Sequence, residues 1–461
     1  MLLIRNPDEL AQKACEKYRV LMQDISSVPI EEEADYVGKY AGKDSIVFLD
    51  GYNFTEPYQR CIKAKGCFLV CMDDHHERFF YADCVLNVSE ISDSSKVLRS
   101  VDSRLVYGLK YALIRPEFSI EQKSIERRNE VFVCFGGGAE TVPLIQKTLQ
   151  ALSRANLLKA KITIVLNETL RTEIENQVNA SFQNLIIQLR YNLSAEEMVE
   201  LMMHSKMGIC SSSTVALEAR AAGLPIVAGY FVENQKGIYQ SLLNTNEIPV
   251  LGDLNEVESD VMAATMADLW DNLQAYSNGK LSYHITQHNY QRLIHSWFTE
   301  IQFVIRAASS EDVELYLHWA NQPDVRKNAL NSEQILPENH RKWFASRLTS
   351  QSTKLYVGMI HNIPVAQLRF DLHDGFWEID YSVDPDWRNK GIGEILIRKG
   401  MKRLLKDVNS DCVVVGLVKP TNVASSEVFK KLHFTQKTYE LRNGIELLRF
   451  HYVLQPQLLS L

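Results

Sequence analysis

Short apolar runs recur through the first two thirds of the chain, separated by helix-like segments. They are rich in Val, Ile, Phe or Cys, and several end in Gly, Asp, Asn or Ser: SIVFLDGY, GCFLVCMDD, EVFVCFGGG, KITIVLN, LIIQLRY, MGICSSS and LPIVAGY. Such runs are typical of parallel strands buried on both faces, with functional loops at their carboxyl ends. A polar bridge, SIEQKSIERRNE, separates a group ending near Phe118 from a group beginning at Val131. The pattern predicts two doubly wound halves with a ligand in the cleft between them.

The pattern changes at Phe303. FVIRAASSEDVELYLHWANQ predicts a strand followed by a helix that begins at a Ser-Ser-Glu-Asp cap. KLYVGMIHNIPVAQLRFDLHDGFWEIDYSVDP predicts antiparallel strands with turns at HNIP and LHDG. The sequence therefore predicts an α/β protein in three parts, with two Rossmann-like halves at 1–125 and 126–298 and an α+β domain at 299–461.

Composition and charge narrow the class of protein. The chain has 461 residues and a formal net charge of −7, which does not favour a nucleic-acid-binding protein. No apolar run approaches the roughly 18 residues of a membrane helix. The segment MLLIRNPDELAQ has no apolar core of signal-peptide length. We expect a cytoplasmic protein that binds neither nucleic acid nor membrane, and the oligomeric state stays open.

The eight cysteines fit a reducing compartment, because the chain has no CxxC pair and no CxxH cluster. Cys67, Cys71, Cys134 and Cys210 lie within or beside apolar runs. We predict buried, reduced thiols and no metal site.

One glycine-bearing stretch, WRNKGIGEILI, follows a predicted strand and precedes a predicted helix. Free backbone N–H groups at a helix N-terminus attract phosphate, and glycine removes the side chains that would block its approach. A tight β–α turn without a ligand is the alternative interpretation. The candidate cofactor-binding residues in and before this stretch are Val383, Arg388, Lys390, Gly391, Ile392 and Gly393.

This stretch resembles the R-x-x-G-x-G loop of the GNAT N-acetyltransferases, which in that family binds the pyrophosphate of acetyl-CoA. The resemblance extends from Phe303 to about Val453 and includes LPENHRKWF and VVVGLVKPTNVASSEVFKKLHF. It implies a GNAT α+β domain that uses acetyl-CoA as co-substrate. It also places Asn422 and Ser425 beside the coenzyme.

The same resemblance suggests catalytic residues. Glu378 is on the strand where related enzymes often place a base, and Asp380 follows two residues on. A solvated or ion-paired strand carboxylate is the alternative for both, and a plain surface arginine is the alternative for Arg388. Phe429 stands where many members carry the tyrosine that protonates the departing thiolate, and His433 replaces the usual glycine. The general acid is therefore unassigned.

Glycines and hydroxyl side chains follow two of the earlier strands. Gly136, Gly137 and Gly138 can approach a diphosphate closely. Hydroxyls and free N–H groups at the start of a helix suit phosphate oxygens. The hydroxyl residues at such a predicted helix start are Ser212, Ser213 and Thr214, and Glu218 lies one turn further along. The alternatives are a tight turn, a helix cap and a solvent-facing carboxylate.

VYGLKYALIRPEF closely resembles a segment of the UDP-sugar hydrolases of pseudaminic acid biosynthesis, which are related in fold to the GT-B glycosyltransferases. Further pieces match in the same order over Met1 to Lys280: VFLDGYNF, CMDDHHERFFYADCVLN, VCFGGGAET, CSSSTVALEARAAGLPIV and FVENQ. The resemblance implies a GT-B-like pair of halves that binds a UDP-sugar, with the uridine nucleotide on the second half. In the GT-B relatives the acid equivalent to Glu218 holds a ribose. The resemblance also places Tyr52 and Asn234 near the sugar as candidate catalytic residues, with a packed aromatic and a loop amide as the alternatives, and Gln235 among the substrate-binding residues.

The matched family begins with a strand and a G-x-G-H loop whose histidine is the expected proton-transfer residue. MLLIRNPDEL matches that family's second strand, so the first half is expected to be incomplete. Losing a positioned acid or base costs roughly 10²–10⁴ in rate. Either the sequence is shortened or the region binds without hydrolysing. His75 and His76 are interpreted as a surface turn.

The combined resemblances predict a bifunctional enzyme of pseudaminic-type (nonulosonic) acid biosynthesis. It would acetylate the amine of a UDP-amino-dideoxy sugar and then bind or hydrolyse the acetylated UDP-sugar. Three alternatives stay open. They are an acetyltransferase with a binding scaffold, a protein or peptide N-acetyltransferase with a nucleotide-binding arm, and a glycosyltransferase.

Overall fold

A computed structural model describes residues 1–74, 78–90, 97–100, 103–119, 126–155, 157, 159–276 and 283–454. These residues form four sheets, of two, four, six and seven strands. No helix in these ranges is both long and apolar enough to cross a membrane. His75 and His76, and residues 120–125 of the predicted bridge, lie outside the described residues.

The first part of the chain contains two parallel sheets. Its elements are β1 (Leu2–Ile4), α1 (Glu9–Lys17), β2 (Met22–Asp24), α2 (Ile30–Gly38), β3 (Ile46–Leu49), α3 (Glu56–Ala64), β4 (Phe68–Met72), β5 (Cys84–Asn87) and β6 (Arg104–Tyr107). β1 pairs with β2, and β3 to β6 form a separate sheet in chain order. Leu2 on β1 and Phe48 on β3 are exposed, so both sheets carry apolar side chains near an edge.

The second part forms one six-stranded parallel sheet between helices. Its elements are β7 (Glu130–Cys134), α4 (Thr141–Ala155), β8 (Lys161–Leu166), α5 (Arg171–Ser181), β9 (Ile186–Tyr191), α6 (Ala195–His204), β10 (Met207–Ser211), α7 (Thr214–Ala221), β11 (Ile226–Tyr230), α8 (Lys236–Thr245), β12 (Val250–Asp253), α9 (Ser259–Asp271), α10 (Leu273–Tyr276) and α11 (Tyr283–Gln302). Every residue of β7 and β10 is buried, as predicted for strands covered on both faces.

The strand order of this sheet is β12-β11-β10-β7-β8-β9. From β7 the chain builds outward to β8 and β9 on one side, and then β10, β11 and β12 extend the sheet on the other side. Loops on the two sides of such a reversal diverge and leave a crevice at the carboxyl ends of the strands. The loops after β7 and β10 therefore border the crevice.

The third part forms a seven-stranded sheet in the order β13-β14-β15-β16-β17-β19-β18. Its elements are β13 (Phe303–Ala307), α12 (Val313–Ala320), α13 (Pro323–Asn328), α14 (Pro337–Leu348), β14 (Thr353–Ile360), β15 (Ile363–His373), β16 (Phe376–Val383), α15 (Ile392–Val408), β17 (Cys412–Val418), α16 (Val423–Lys431), β18 (Thr435–Arg442) and β19 (Ile445–Leu454). The predicted antiparallel run is confirmed for β14 to β16. β16 and β17 pair in parallel.

Helix α11 connects the first and third parts. Trp297 is fully buried, with its ring centroid 5.8 Å from that of Phe68 on β4. Glu300 accepts hydrogen bonds from Arg104 on β6 and Arg398 on α15. The boundary predicted at 298/299 falls inside α11, which continues to Gln302 and directly into β13. The division into three domains stays a prediction.

The predicted burial of the cysteines is confirmed for six of the eight, whereas Cys61 and Cys412 are partly exposed. Cys67, Cys71, Cys134 and Cys210 are buried and form no disulfide. Burial raises the pKa of the Cys71 thiol to about 12, which keeps the thiol protonated and unreactive at neutral pH.

Candidate functional sites

The parallel pair β16–β17 separates part-way along its length. Its registered pairs run from Phe376 opposite Val413 to Ile379 opposite Gly416. On the other side, β16 stays paired with β15 as far as Val383. Within the described residues, the edge of β16 from 380 to 383 has no strand partner toward β17. Backbone groups on this edge are available to an extended ligand with amide groups.

The turn after β16 leads from this open edge to α15. Asp384 accepts a hydrogen bond from Trp319 Nε1 at 2.8 Å, which ties the turn to α12. Gly391 is the N-cap of α15 and has a φ of +79°, a conformation that glycine adopts without strain. A Cβ built at Gly391 would meet no atom within 4 Å, so the helix N-terminus is open to an incoming group. Lys390 Nζ lies 5.1 Å from the ring centroid of Trp387.

Arg388 is paired with protein groups in this structure. Its Nη1 lies 2.8 Å from Asp324 Oδ2, and its Nε donates to the carbonyl of Val383 at 3.1 Å. Asp324 is mostly exposed, and such surface pairs contribute little to stability, so a phosphate can compete for the guanidinium. Ile392 is buried in the core under α15, which leaves only its backbone for ligand binding.

The other predicted coenzyme residues lie at the start of α16. Asn422 is its N-cap and accepts a hydrogen bond from the Ser425 amide at 3.2 Å. The Ser425 hydroxyl accepts a hydrogen bond from Tyr381 at 3.1 Å. Sequence analysis missed Tyr381, although the alternation along β16 puts it on the opposite face from Asp380. A Cβ at Gly393 would be 3.4 Å from the Tyr381 ring, so the second glycine leaves room for this tyrosine.

The two candidate bases lie on β16 and are both ion-paired. Glu378 Oε2 lies 2.7 Å from Arg442 Nη1. Asp380 Oδ2 lies 3.3 Å from Arg369 Nη2, and the Asp380 side chain is 54% exposed. Both residues therefore match the alternative interpretation, in which each is an ion-paired carboxylate on a strand. Their roles as bases stay predictions.

In the six-stranded sheet, the loops after β7 and β10 meet at the crevice. Gly136 has a φ of +110°, and a Cβ at Gly137 would lie 3.3 Å from Asn167. The Ser211 hydroxyl contacts the carbonyl of Phe135 at 3.2 Å, which ties the two loops together. Thr214 is exposed at the start of α7. The structure thus brings the predicted glycines and hydroxyls to one place.

Ser212 and Ser213 differ in their surroundings at this helix start. Ser213 is the N-cap of α7, and its hydroxyl lies 3.0 Å from that of Ser211. Ser212 is fully buried, and its hydroxyl oxygen has no hydrogen-bond partner among the described residues. A Cβ on Gly138 would collide with the Glu140 carboxylate, so the glycine leaves room for this side chain. A buried hydroxyl without a partner is costly in the free protein and suits a ligand oxygen.

The alternative interpretation of Glu218 as a solvent-facing carboxylate is wrong. The residue is only 2% exposed, and its carboxylate accepts two hydrogen bonds from Arg115 at 2.7 and 2.8 Å. Burial disfavours an unpaired carboxylate, and the ion pair with the Arg115 guanidinium offsets that cost. Sequence analysis did not single out Arg115, although it is the charged residue that interrupts the apolar run YALIRPEF.

Tyr52 and Asn234 approach each other from the two halves. The Asn234 amide donates to the Tyr52 hydroxyl at 3.4 Å, and that hydroxyl donates to Asp74 at 3.2 Å. Tyr52 is 58% exposed, so its ring is accessible from the cleft. Gln235 is buried and accepts from the Phe231 amide at 3.1 Å, which shapes the loop that carries Asn234. Asp74 is a further residue that sequence analysis missed.

The described residues contain no group of three or more side chains that could hold a metal ion.

Comparison with known proteins decides the class of the third part. Residues 302–435 match the model of the acetyltransferase (GNAT) domain. This region is a GNAT acetyltransferase domain. Its match covers β13 to the start of β18 and includes the open edge of β16 and the glycine-capped α15. The predicted GNAT acetyltransferase domain is thus confirmed. The individual coenzyme residues stay predictions.

Two curated relatives are similar over longer stretches. An uncharacterized protein of Methanocaldococcus jannaschii is 22% identical over 321 residues, which are 66% of this chain and 63% of that protein. The UDP-2,4-diacetamido-2,4,6-trideoxy-β-L-altropyranose hydrolase of Campylobacter jejuni is 25% identical over 197 residues, 42% of this chain and 69% of that enzyme. The second similarity is weak support for the hydrolase resemblance.

Solved acetyltransferases resemble about a third of the chain. Spermidine N-acetyltransferase from Vibrio cholerae, in complex with CoA and spermine, is 12% identical with a TM-score of 0.32, covering 34% of this chain and 98% of that chain. The aminoglycoside acetyltransferase AAC(6')-Ib, in complex with coenzyme A and kanamycin, is 16% identical with a TM-score of 0.30, covering 34% and 97%.

Proposed function

We propose that this chain transfers an acetyl group from acetyl-CoA to the amine of a UDP-amino-dideoxy sugar. Its N-terminal region would bind the acetylated UDP-sugar. The observation that carries the proposal is the junction of the unpaired edge of β16 with the glycine-capped start of α15, inside a GNAT domain.

The residues at this junction fit acetyl-CoA. The amides at the start of α15 and the open space at Gly391 suit its pyrophosphate. The free edge of β16 suits the amide groups of its pantetheine arm, and Asn422 and Ser425 line the other side. The bound thioester supplies an activated acetyl group. This chain would orient the acceptor amine and remove its proton, with Glu378 or Asp380 as the candidate base.

The proposed binding of the UDP-sugar rests on the first and second parts of the chain. The Ser212 hydroxyl, the start of α7 and the Gly136 loop offer donors and space to a diphosphate at the strand-order reversal. The Campylobacter relative is named for a diacetamido UDP-sugar, whose acetamido groups are what an N-acetyltransferase produces. Acetylation and hydrolysis in one chain would therefore be consecutive steps.

Whether the N-terminal region also hydrolyses the sugar depends on the first half. Tyr52, Asn234 and Asp74 form a hydrogen-bonded series across the cleft. We propose that this series contacts the sugar. Binding alone is the minimal role of the region, and hydrolysis is the additional role that the experiment decides.

The test offers the full chain acetyl-CoA together with a UDP-4-amino-4,6-dideoxy sugar. Mass spectrometry follows the acetylated sugar, and a coupled assay follows released UDP. Acetylation with UDP release supports both activities, whereas acetylation without release supports the transferase with a binding region. Acetylation of peptides but not of the amino sugar would overturn the proposed acceptor and favour a protein N-acetyltransferase.

A further inference from the structure

Tyr381 lies where β16 has parted from β17, two residues beyond the last registered pair at Ile379. Its ring packs edge-on against Phe429 of α16, with centroids 6.2 Å apart and an interplanar angle of 86°. It also lies beside Gly393 in the first turn of α15. Tyr381 therefore occupies the point where the open strand edge, α15 and α16 meet.

The Tyr381 hydroxyl donates to the Ser425 hydroxyl at 3.1 Å. Ser425 lies in the first turn of α16, and its hydroxyl can itself donate a proton. Burial raises the pKa of Tyr381, so the phenol keeps its proton at neutral pH. A protonated phenol with a hydroxyl neighbour has the form that a general acid requires.

Helix α16 does not offer a competing phenol. Phe429 is 2% exposed, and its Cζ would lie 2.5 Å from a Cβ built on Gly416 of β17. The tip of the ring thus points at the β17 backbone, and a hydroxyl there would have no room. In the pair of Tyr381 and Phe429, the hydroxyl therefore belongs to Tyr381 on β16.

We propose that Tyr381 is the general acid of the acetyl transfer. The inference rests on the proposed function. The acceptor nitrogen bonds to the thioester carbonyl carbon, the carbon–sulfur bond breaks, and Tyr381 gives its phenolic proton to the departing sulfur. The nitrogen loses one proton to base or solvent. The tyrosinate regains a proton from solvent through Ser425, so each turnover yields an amide and a free thiol.

The test compares binding of coenzyme A with binding of desulfo-coenzyme A, which lacks the sulfur. Calorimetry at pH 7 and pH 9 is applied to the full chain and to Tyr381→Phe. A hydroxyl that contacts the sulfur should make the full chain prefer coenzyme A, by roughly tenfold at pH 9, where the thiolate accepts a charge-assisted hydrogen bond. Tyr381→Phe should bind both compounds equally.

Tyr356→Phe is the matched control. Tyr356 is a buried tyrosine of the same sheet whose hydroxyl donates to Asp407 at 2.6 Å. This variant should keep the preference for coenzyme A. An unchanged preference in Tyr381→Phe, or an equal loss in Tyr356→Phe, overturns the assignment of Tyr381.

Turnover supplies a second readout. Tyr381→Phe should lower kcat by roughly 10²-fold or more while the affinity for desulfo-coenzyme A stays unchanged. If the full chain binds neither compound, the proposed function fails and the inference fails with it. If it binds coenzyme A and acetylates the sugar while Tyr381→Phe behaves like the full chain, the inference alone fails.

Discussion

Arg115 and Glu218 hold each other through two parallel hydrogen bonds, from Nε at 2.7 Å and from Nη2 at 2.8 Å. Arg115 follows β6 in the segment that leads toward the second part, and Glu218 lies on α7 beside the crevice. The carboxylate of Glu218 is nearly inaccessible, whereas the arginine is partly exposed. The pair therefore anchors the connecting segment against the helix that begins at the candidate nucleotide site.

Replacing this arginine should destabilise the chain. In Arg115→Met, the buried carboxylate of Glu218 loses its partner, and we expect the free energy of unfolding to fall by about 2 kcal/mol. Urea denaturation measures the change. Arg154→Met is the control, because Arg154 pairs with Asp260 on the surface, and its loss should cost less than about 0.5 kcal/mol. Equal costs for the two variants would contradict the prediction.

Much of the fold could be predicted because the strands of the second part are buried on both faces. Apart from Glu130 and Ser211 at their ends, the runs EVFVC and MGICS contain only apolar residues and glycine, so the burial of these strands shows directly in the sequence. The turn at LHDG was also visible, since Gly375 has a φ of +85° that favours glycine. Local patterns of this kind need no knowledge of distant residues.

The rest depended on contacts between residues far apart in the chain. Arg115 meets Glu218 across 103 positions, and Tyr381 meets Ser425 across 44. No periodicity encodes such pairs, so no local pattern indicated that the Glu218 carboxylate lies in the interior. The parallel pairing of β16 with β17 was also not predicted, although the strand–helix–strand order through α15 favours it.

The Glu300 cluster should make stability depend on pH. Burial would raise the pKa of Glu300, but the guanidinium groups of Arg398 and Arg104 outweigh it and lower the pKa to about 2 from its usual 4.5. Because the pKa is lower in the folded chain, the carboxylate stabilises the fold above pH 4.5. We expect this stabilisation, up to about 3 kcal/mol, to be lost as the pH falls toward 2.

Glu300→Gln tests this expectation. At pH 7 the variant should unfold with a free energy lower by about 3 kcal/mol, because the guanidinium groups of Arg104 and Arg398 lose the charge of this buried carboxylate. Its stability should then change less between pH 5 and pH 3 than that of the parent chain. Glu314→Gln, which removes an exposed partner of Arg341, should retain the parent's pH profile. Parallel profiles for Glu300→Gln and the parent would rule out Glu300 as the source.

A matched pair of variants distinguishes Gly391, at the start of α15, from Gly375, an ordinary turn glycine. Gly391 and Gly375 have φ values of +79° and +85°, and a Cβ would meet no atom within 4 Å at either position. Alanine at either site should therefore cost about 1 kcal/mol of stability. Only Gly391→Ala should weaken coenzyme A binding, by roughly tenfold, because its methyl group would stand at the start of α15. Calorimetry with coenzyme A measures the difference, and equal affinities would show that the start of α15 does not hold the phosphates.

Ser212 offers a test in which stability and binding should change in opposite directions. Its buried hydroxyl has no partner among the described residues, so Ser212→Ala should leave the free chain as stable as before or more stable by up to about 1 kcal/mol. If that hydroxyl binds a phosphate oxygen, the same variant should bind UDP about fivefold to tenfold more weakly.

Ser211→Ala is the companion variant, since the Ser211 hydroxyl contacts Phe135 and Ser213. Losing these contacts should cost about 1 kcal/mol of stability. Melting curves with and without UDP distinguish the two serines, because ligand binding to the folded chain raises the midpoint. If UDP stabilises Ser212→Ala as strongly as the parent chain, the Ser212 hydroxyl does not bind a phosphate.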